Sequence, residues 1–168
     1  MKAHGLCDRG IVPQFYGTME YLNPDLYIPY LDLFRNDPSF PDAILIEYIS
    51  GGEQLSRTNY TSQRMNKFME YLEEIHDALI LHGDIYPRNM WIFPDSVHKV
   101  MWLDFNRAQT YKGDELSKDQ REYLVCEANE LTELKDAFVS YSLSKHFYQA
   151  IQSLIVRRYC LTNYRTFS

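Results

Sequence analysis

His82-Gly83-Asp84-Ile85-Tyr86-Pro87-Arg88-Asn89, followed by Trp102-Leu103-Asp104-Phe105-Asn106, is the stretch on which the fold of this chain turns. Apolar residues at 91–92 and 100–103 predict two short strands, with Pro94-Asp95-Ser96 as the turn between them. Such a hairpin folds Asp104 back towards Asp84 and Asn89. Asp84 could then act as a base or orienting group for a hydroxyl, while Asn89 and Asp104 offer hard oxygen ligands for Mg²⁺. The plainer reading is a His-Gly-Asp turn and a capping Asp.

Upstream, residues 62–81 give the clearest helical pattern. Met65, Phe68, Met69, Leu72, Ile75 and Leu79 fall at i, i+3, i+4, i+7, i+10 and i+14, so they share one apolar face. His76 lies beside that face and reads as packed or half-exposed. Ala43-Ile44-Leu45-Ile46-Glu47-Tyr48-Ile49 predicts a buried strand stopped by Ser50-Gly51-Gly52. Ile11-Val12-Pro13-Gln14-Phe15-Tyr16-Gly17 reads as a short entry followed by a strand reaching about Met19. Pro24, Pro29, Pro38 and Pro41 make the intervening residues 20–41 a loop or distorted hairpin. Residues 1–12 show little periodicity and read as the end of an element.

Downstream, Thr110 to Leu116 is polar and turn-like. Ser117-Lys118-Asp119-Gln120 has the form of a capping box, opening a helix with Leu124, Ala128, Leu131, Leu134 and Phe138 inward. A second helix is expected from about Ser144, with Phe147, Ile151 and Leu154 on its core face. Arg157 and Arg158 form only a small basic spot there.

At 168 residues the chain is expected to form one domain with a sizeable core. A net charge of −6 argues against a broad basic nucleic-acid footprint. No apolar run approaches the roughly 20 residues of a membrane span, and Met1-Lys2-Ala3-His4-Gly5 lacks the apolar segment of a secretory signal. Cys7, Cys126 and Cys160 are too dispersed for metal or redox spacing, which fits a reducing compartment. A cytoplasmic location is the expectation.

The order H-x-D-x-x-x-x-N, then hairpin, then D-F, resembles the catalytic and metal-binding loops of the protein-kinase-like superfamily. Gly83 stands where most protein kinases have Arg. His-Gly-Asp is the form found in aminoglycoside and choline phosphotransferases and in atypical, fungal-type kinase-like proteins. The resemblance implies an α+β fold: a protein-kinase-like C-lobe, mainly helical with a short catalytic-loop hairpin, plus remnant N-lobe strands. The whole of 1–168 would be one kinase-like domain, with strands and hinge in 11–50 and the C-lobe in 51–168. Ile46-Glu47-Tyr48-Ile49-Ser50-Gly51-Gly52 matches the interlobe hinge. Ile46 would then be the gatekeeper, the backbone at Glu47 and Ile49 would bond adenine, and Trp91 would stand where a smaller apolar residue commonly forms the floor beneath the base, either stacking there or crowding the pocket. Asp84 would orient or deprotonate the acceptor, Asn89 and Asp104 would hold Mg²⁺, and His82 would shape the loop by bonding backbone near Asp104.

Departures from that pattern shape the functional expectation. Nothing before residue 11 has room for the first N-lobe strands, hence for the glycine-rich loop and the phosphate-binding Lys. No A-P-E segment follows Asp104, Tyr86 replaces a Lys that often contacts the transferring phosphate, and Asn106 follows Asp-Phe in place of Gly. Three functions stay open: a phosphotransferase using ATP and Mg²⁺ on a hydroxyl of a protein or small molecule, impaired by the missing parts; a catalytically inactive pseudokinase or binding module; or a fragment of a larger kinase. A cleft without its roof would expose the strands at 11–19 and 43–49, predicting a partner chain or self-association over it. Neither nucleic acid nor membrane is an expected partner.

Overall fold

Thr61 starts the longest regular element of the first hundred residues by accepting the Arg64 N–H at 3.1 Å on its side chain. Helix α1 runs Ser62–Asp77. It buries Met65, Phe68, Leu72 and Ile75, four of the six residues on the expected stripe. The computed structural model describes residues 1–113 and 115–143, so the helix expected from Ser144, with Arg157 and Arg158, lies outside the described residues. Two compact units divide the chain, Met1–Ser50 and Gly51–Ser168.

In the first unit, strand β1 (Phe15–Met19) pairs antiparallel with β2 (Ala43–Ile46), Thr18 opposite Ile44. The proline-rich connection between them holds two single-turn 3-10 helices, Pro24–Leu26 and Asp32–Phe34. Asn23 caps the first by accepting the Asp25 N–H. Leu6, Cys7, Ile11 and Val12 form the buried side of this unit. The buried strand expected at 43–49 is corrected in two ways: β2 stops at Ile46, and Ile44 is 70% and Ile46 56% exposed. A two-stranded sheet has no second layer of its own to cover an apolar face.

The second unit is built on α1 and an antiparallel sheet of β3 (Glu53–Gln54), β5 (Met90–Phe93) and β6 (Ser96–Trp102), in the order β3-β5-β6. The expected hairpin is β5–β6, pairing Met90 with Trp102 and Ile92 with Val100. Trp102 is fully buried, edge-on to Phe68 at 5.3 Å, and its indole N–H donates to the Phe68 carbonyl at 3.2 Å. That contact fastens β6 to α1.

Helix α1 ends earlier than its spacing predicts. Leu79 takes φ 58°, and Ile80–Leu81 leave the helix as β4, which pairs with β7 (Gln109–Thr110). Ser117 and Gln120 form the reciprocal capping box, Gln120 N–H to Ser117 Oγ at 3.1 Å and Ser117 N–H to Gln120 Oε1 at 2.9 Å. Helix α2 (Lys118–Leu143) follows, burying Leu124, Leu131, Leu134, Ala137 and Phe138 and packing on α1. None of the described helices is long and apolar enough to cross a membrane.

Candidate functional site

The loop between β4 and β5 is closed on itself. Tyr86 N–H donates to the Asp84 carbonyl at 2.9 Å, Asn89 N–H to the Tyr86 carbonyl at 2.8 Å, and Pro87 opens the short 3-10 turn Pro87–Asn89. The Asn89 amide Nδ2 donates to both the Asp84 carbonyl (2.8 Å) and its Oδ2 (2.9 Å). Both partners are acceptors, so the amide must face them with its nitrogen and turn Oδ1 away. Asp84 is 3% exposed, and the Nη2 of Arg88 reaches its Oδ1 at 2.9 Å and Oδ2 at 2.6 Å.

Leu103 couples this loop to Asp104. Its N–H donates to the Asn89 carbonyl at 2.9 Å, and its own carbonyl accepts from His82 Nε2 at 3.1 Å. Asp104 follows at φ 61°, a left-handed conformation that costs a non-glycine residue free energy and is sustained by its surroundings. Its carboxylate is exposed, and Oδ1 lies 3.4 Å from the Asn106 N–H. Asn89 and Asp104 therefore flank a single clamped residue. Among the described residues no group of three or more His, Cys, Asp or Glu side chains converges on a metal position.

His82 is fully buried, with its ring 5.1 Å from that of Trp102 and 4.4 Å from that of Phe105. A carbonyl can only accept, so Nε2 carries the proton; Nδ1 is buried and has no hydrogen-bond partner among the described residues. Burial pushes the imidazole below its ordinary pKa, outweighing the opposing pull of Glu127, and so favours its neutral form. His82 positions the loop and does not reach solvent. Gly83 has φ 76°, and a Cβ there would meet the Arg107 carbonyl oxygen at 2.5 Å, so no Arg could take this place without moving the backbone.

Sequence reasoning missed Glu127. From α2 its carboxylate, 5% exposed, accepts the His82 N–H (Oε2, 3.0 Å), the Gly83 N–H (Oε1, 2.6 Å) and His76 Nε2 (2.7 Å). The signal was present: an acidic residue three positions after Leu124 and four before Leu131, on the buried stripe.

Trp91, on β5 between Gln54 and Met101, has a buried indole nitrogen with no hydrogen-bond partner among the described residues. Its ring fills the space that a Cβ on Gly52 would need. In the first unit, Ile46 ends β2, and the Glu47 N–H donates to the Gln14 carbonyl at 2.8 Å while its carboxylate accepts the Gln14 N–H at 3.1 Å. The Glu47 carbonyl and Ile49 N–H form no backbone hydrogen bond among the described residues. Ile46, Glu47 and Ile49 belong to the first unit; His82, Asp84, Asn89, Trp91 and Asp104 belong to the second.

No protein-family model matches the chain. A stretch of it is similar to part of several kinases. That stretch is 25% identical over 127 residues to the zebrafish (Danio rerio) myosin light chain kinase 3, covering 70% of this chain and 18% of that protein. The Rattus norvegicus myosin light chain kinase 3 is 26% identical over 127 residues, and the Homo sapiens myosin light chain kinase family member 4 is 25% identical over the same length. The chain spans 16% of the rat protein and 32% of the human one.

Proposed function

We propose that the chain contributes the C-lobe of a kinase-like phosphotransferase, moving a phosphoryl group from MgATP to a hydroxyl acceptor. The observation that carries this reading is Leu103, bonded through both backbone groups to the 82–89 loop and followed directly by Asp104 in a left-handed conformation. The distant kinase relatives support it. Asn89 Oδ1, turned from Asp84, and the Asp104 carboxylate are hard oxygen donors suited to Mg²⁺, which takes one or two such side chains together with phosphate oxygens. The bound ion would neutralise phosphate charge during transfer. Asp84 would orient the acceptor hydroxyl and receive its proton, a contribution of about 10²–10⁴ in rate. Within the first unit, the Glu47 carbonyl and Ile49 N–H would be the groups to bond an adenine edge, with Ile46 as an apolar neighbour. The acceptor is a hydroxyl of a protein or a small molecule.

Burial of Asp84 under Arg88 favours a second reading, a nucleotide-binding module without turnover. Calorimetric titration of the purified chain with ATP, with and without Mg²⁺, tests the shared part of both readings. Heat is expected only with Mg²⁺ and is lost in Asp104→Ala. No heat at millimolar ATP, from a chain shown to be folded, would overturn the reading. Turnover that disappears in Asp84→Ala separates the enzyme from the module.

A further inference from the structure

The connection between β1 and β2 is far longer than their pairing needs. Met19 and Ala43 stand opposite each other at the end of the ladder, so a turn of a few residues would join them, yet residues 20–42 intervene. This insertion is built, not slack. Leu22 N–H donates to the Pro41 carbonyl at 3.0 Å and Tyr21 N–H to the Asp42 carboxylate at 2.9 Å, which closes its base. Arg35 joins its two 3-10 turns, Nε to Asp25 Oδ1 at 2.9 Å and Nη1 to Asp32 Oδ1 at 3.4 Å.

The residue after each of those aspartates is an exposed leucine, Leu26 and Leu33, the latter 92% exposed. Tyr21 and Tyr30 are turned to solvent as well, Tyr30 to 86%. Single apolar side chains at a surface are ordinary; several on one short, internally bonded insertion mark an interaction surface. Its charge selects the partner. Glu20, Asp25, Asp32, Asp37 and Asp42 are all exposed, and the insertion's one cation, Arg35, is already committed to two of them. A second copy brought to this surface across a two-fold axis would set acid against acid. An arginine-bearing chain meets it on every count: a guanidinium stacks on a tyrosine ring, forks onto a carboxylate, and lays its methylene stem along leucine.

We propose that the 20–42 insertion is a docking surface for an arginine-rich segment of a partner protein, with guanidinium groups on the Tyr21 and Tyr30 rings and the Glu20 and Asp37 carboxylates, and with Leu26 and Leu33 against the stems. The assignment concerns the first unit alone and does not depend on the kinase-like reading of the second.

Fluorescence anisotropy on the full chain tests it, the probe being a short labelled peptide in which arginine alternates with leucine and serine. Binding is expected, and it should weaken as NaCl is raised. Tyr30→Ser/Leu33→Ser keeps every charge and is expected to weaken binding about tenfold, the scale of one interface anchor. Glu20→Gln/Asp37→Asn is expected to flatten the salt dependence. All four positions are exposed, and far-ultraviolet circular dichroism confirms that both variants keep the parent fold. No binding by the unaltered chain overturns the assignment. So does an affinity unchanged in Tyr30→Ser/Leu33→Ser, which reduces the contact to general attraction between a basic peptide and an acidic protein. A dimer of the chain alone in sedimentation equilibrium, abolished by Tyr30→Ser/Leu33→Ser, overturns it in favour of a second copy on this surface.

Discussion

Replacing Glu127 by Gln should loosen the 82–89 loop while leaving helix α2 formed. The carboxylate is buried and receives the His82 and Gly83 N–H groups at 3.0 and 2.6 Å and His76 Nε2 at 2.7 Å. Glutamine has one acceptor oxygen and one donor nitrogen in their place. At least one backbone N–H then faces an N–H₂ group and keeps no acceptor. An orphaned buried donor costs about 1–3 kcal/mol, and the bonds lost are of the stronger, charge-assisted kind. A loss of about 2–4 kcal/mol is expected for Glu127→Gln, and about 3–5 kcal/mol for Glu127→Ala, which abandons all three donors. Both tryptophans, Trp91 and Trp102, lie in the second unit, so urea unfolding followed by their emission reports on that unit. Asp136→Asn, on an exposed position of the same helix, should stay within about 0.5 kcal/mol of the parent. Hydrogen exchange should show the His82 and Gly83 amides losing protection while Leu131 keeps its own. A Glu127→Gln protein that unfolds with the control and exchanges normally at 82 and 83 would refute the role.

Two further outcomes follow from the site. His82 is held neutral by burial, whereas in the unfolded chain it takes up a proton near its ordinary value of 6.5. Below that pH the unfolded state binds more protons, so this contribution to stability is complete above about pH 6.5 and is lost as the pH falls towards the depressed folded value. Urea midpoints measured from about pH 7.5 to 5.5 should fall less steeply in His82→Gln, whose amide can still donate to the Leu103 carbonyl; an equal slope would exclude His82 as the source. Gly52→Ala should cost about 1–3 kcal/mol by overpacking against the Trp91 ring. Combined with Trp91→Leu, the penalty should shrink, a coupling of about 0.5–3 kcal/mol in a double-mutant cycle; strict additivity would show that the two residues do not meet.

How far the sequence carried depended on whether the deciding contact was local. Pro94-Asp95 between apolar pairs located the β5–β6 hairpin, and Ser117 with Gln120 located the start of α2, because both signals lie within four residues. The end of α1 was not legible: Leu79 keeps the apolar spacing, and only the pairing of Ile80–Leu81 with Gln109–Thr110 draws the chain out of the helix. β3 went unread for the same reason, two polar residues made into a strand by Trp91 and Ile92. In the candidate site, the spacing of Asp84, Asn89 and Asp104 was visible in the sequence. The ion pair of Arg88 with Asp84 was not, since a four-residue interval predicts contact on a helix and says nothing about a loop. Glu127 was visible as a charge on an apolar stripe, but its partners are backbone amides, which no residue type announces.

The position of Glu127 in the chain has a consequence for the order in which the loop takes shape. Synthesis runs from the N-terminus, so residues 82–89 are made first. Leu103, which bonds His82 and Asn89, follows later, and Glu127 arrives 44 residues after Gly83. Closing a span of that length costs roughly 3 kcal/mol of chain entropy. That cost is offset only when Leu131, Leu134 and Phe138 dock α2 against the rest of the unit. A nascent chain can thus display the whole His-Gly-Asp…Asn motif and still lack the geometry that motif denotes, until a helix far downstream closes around it.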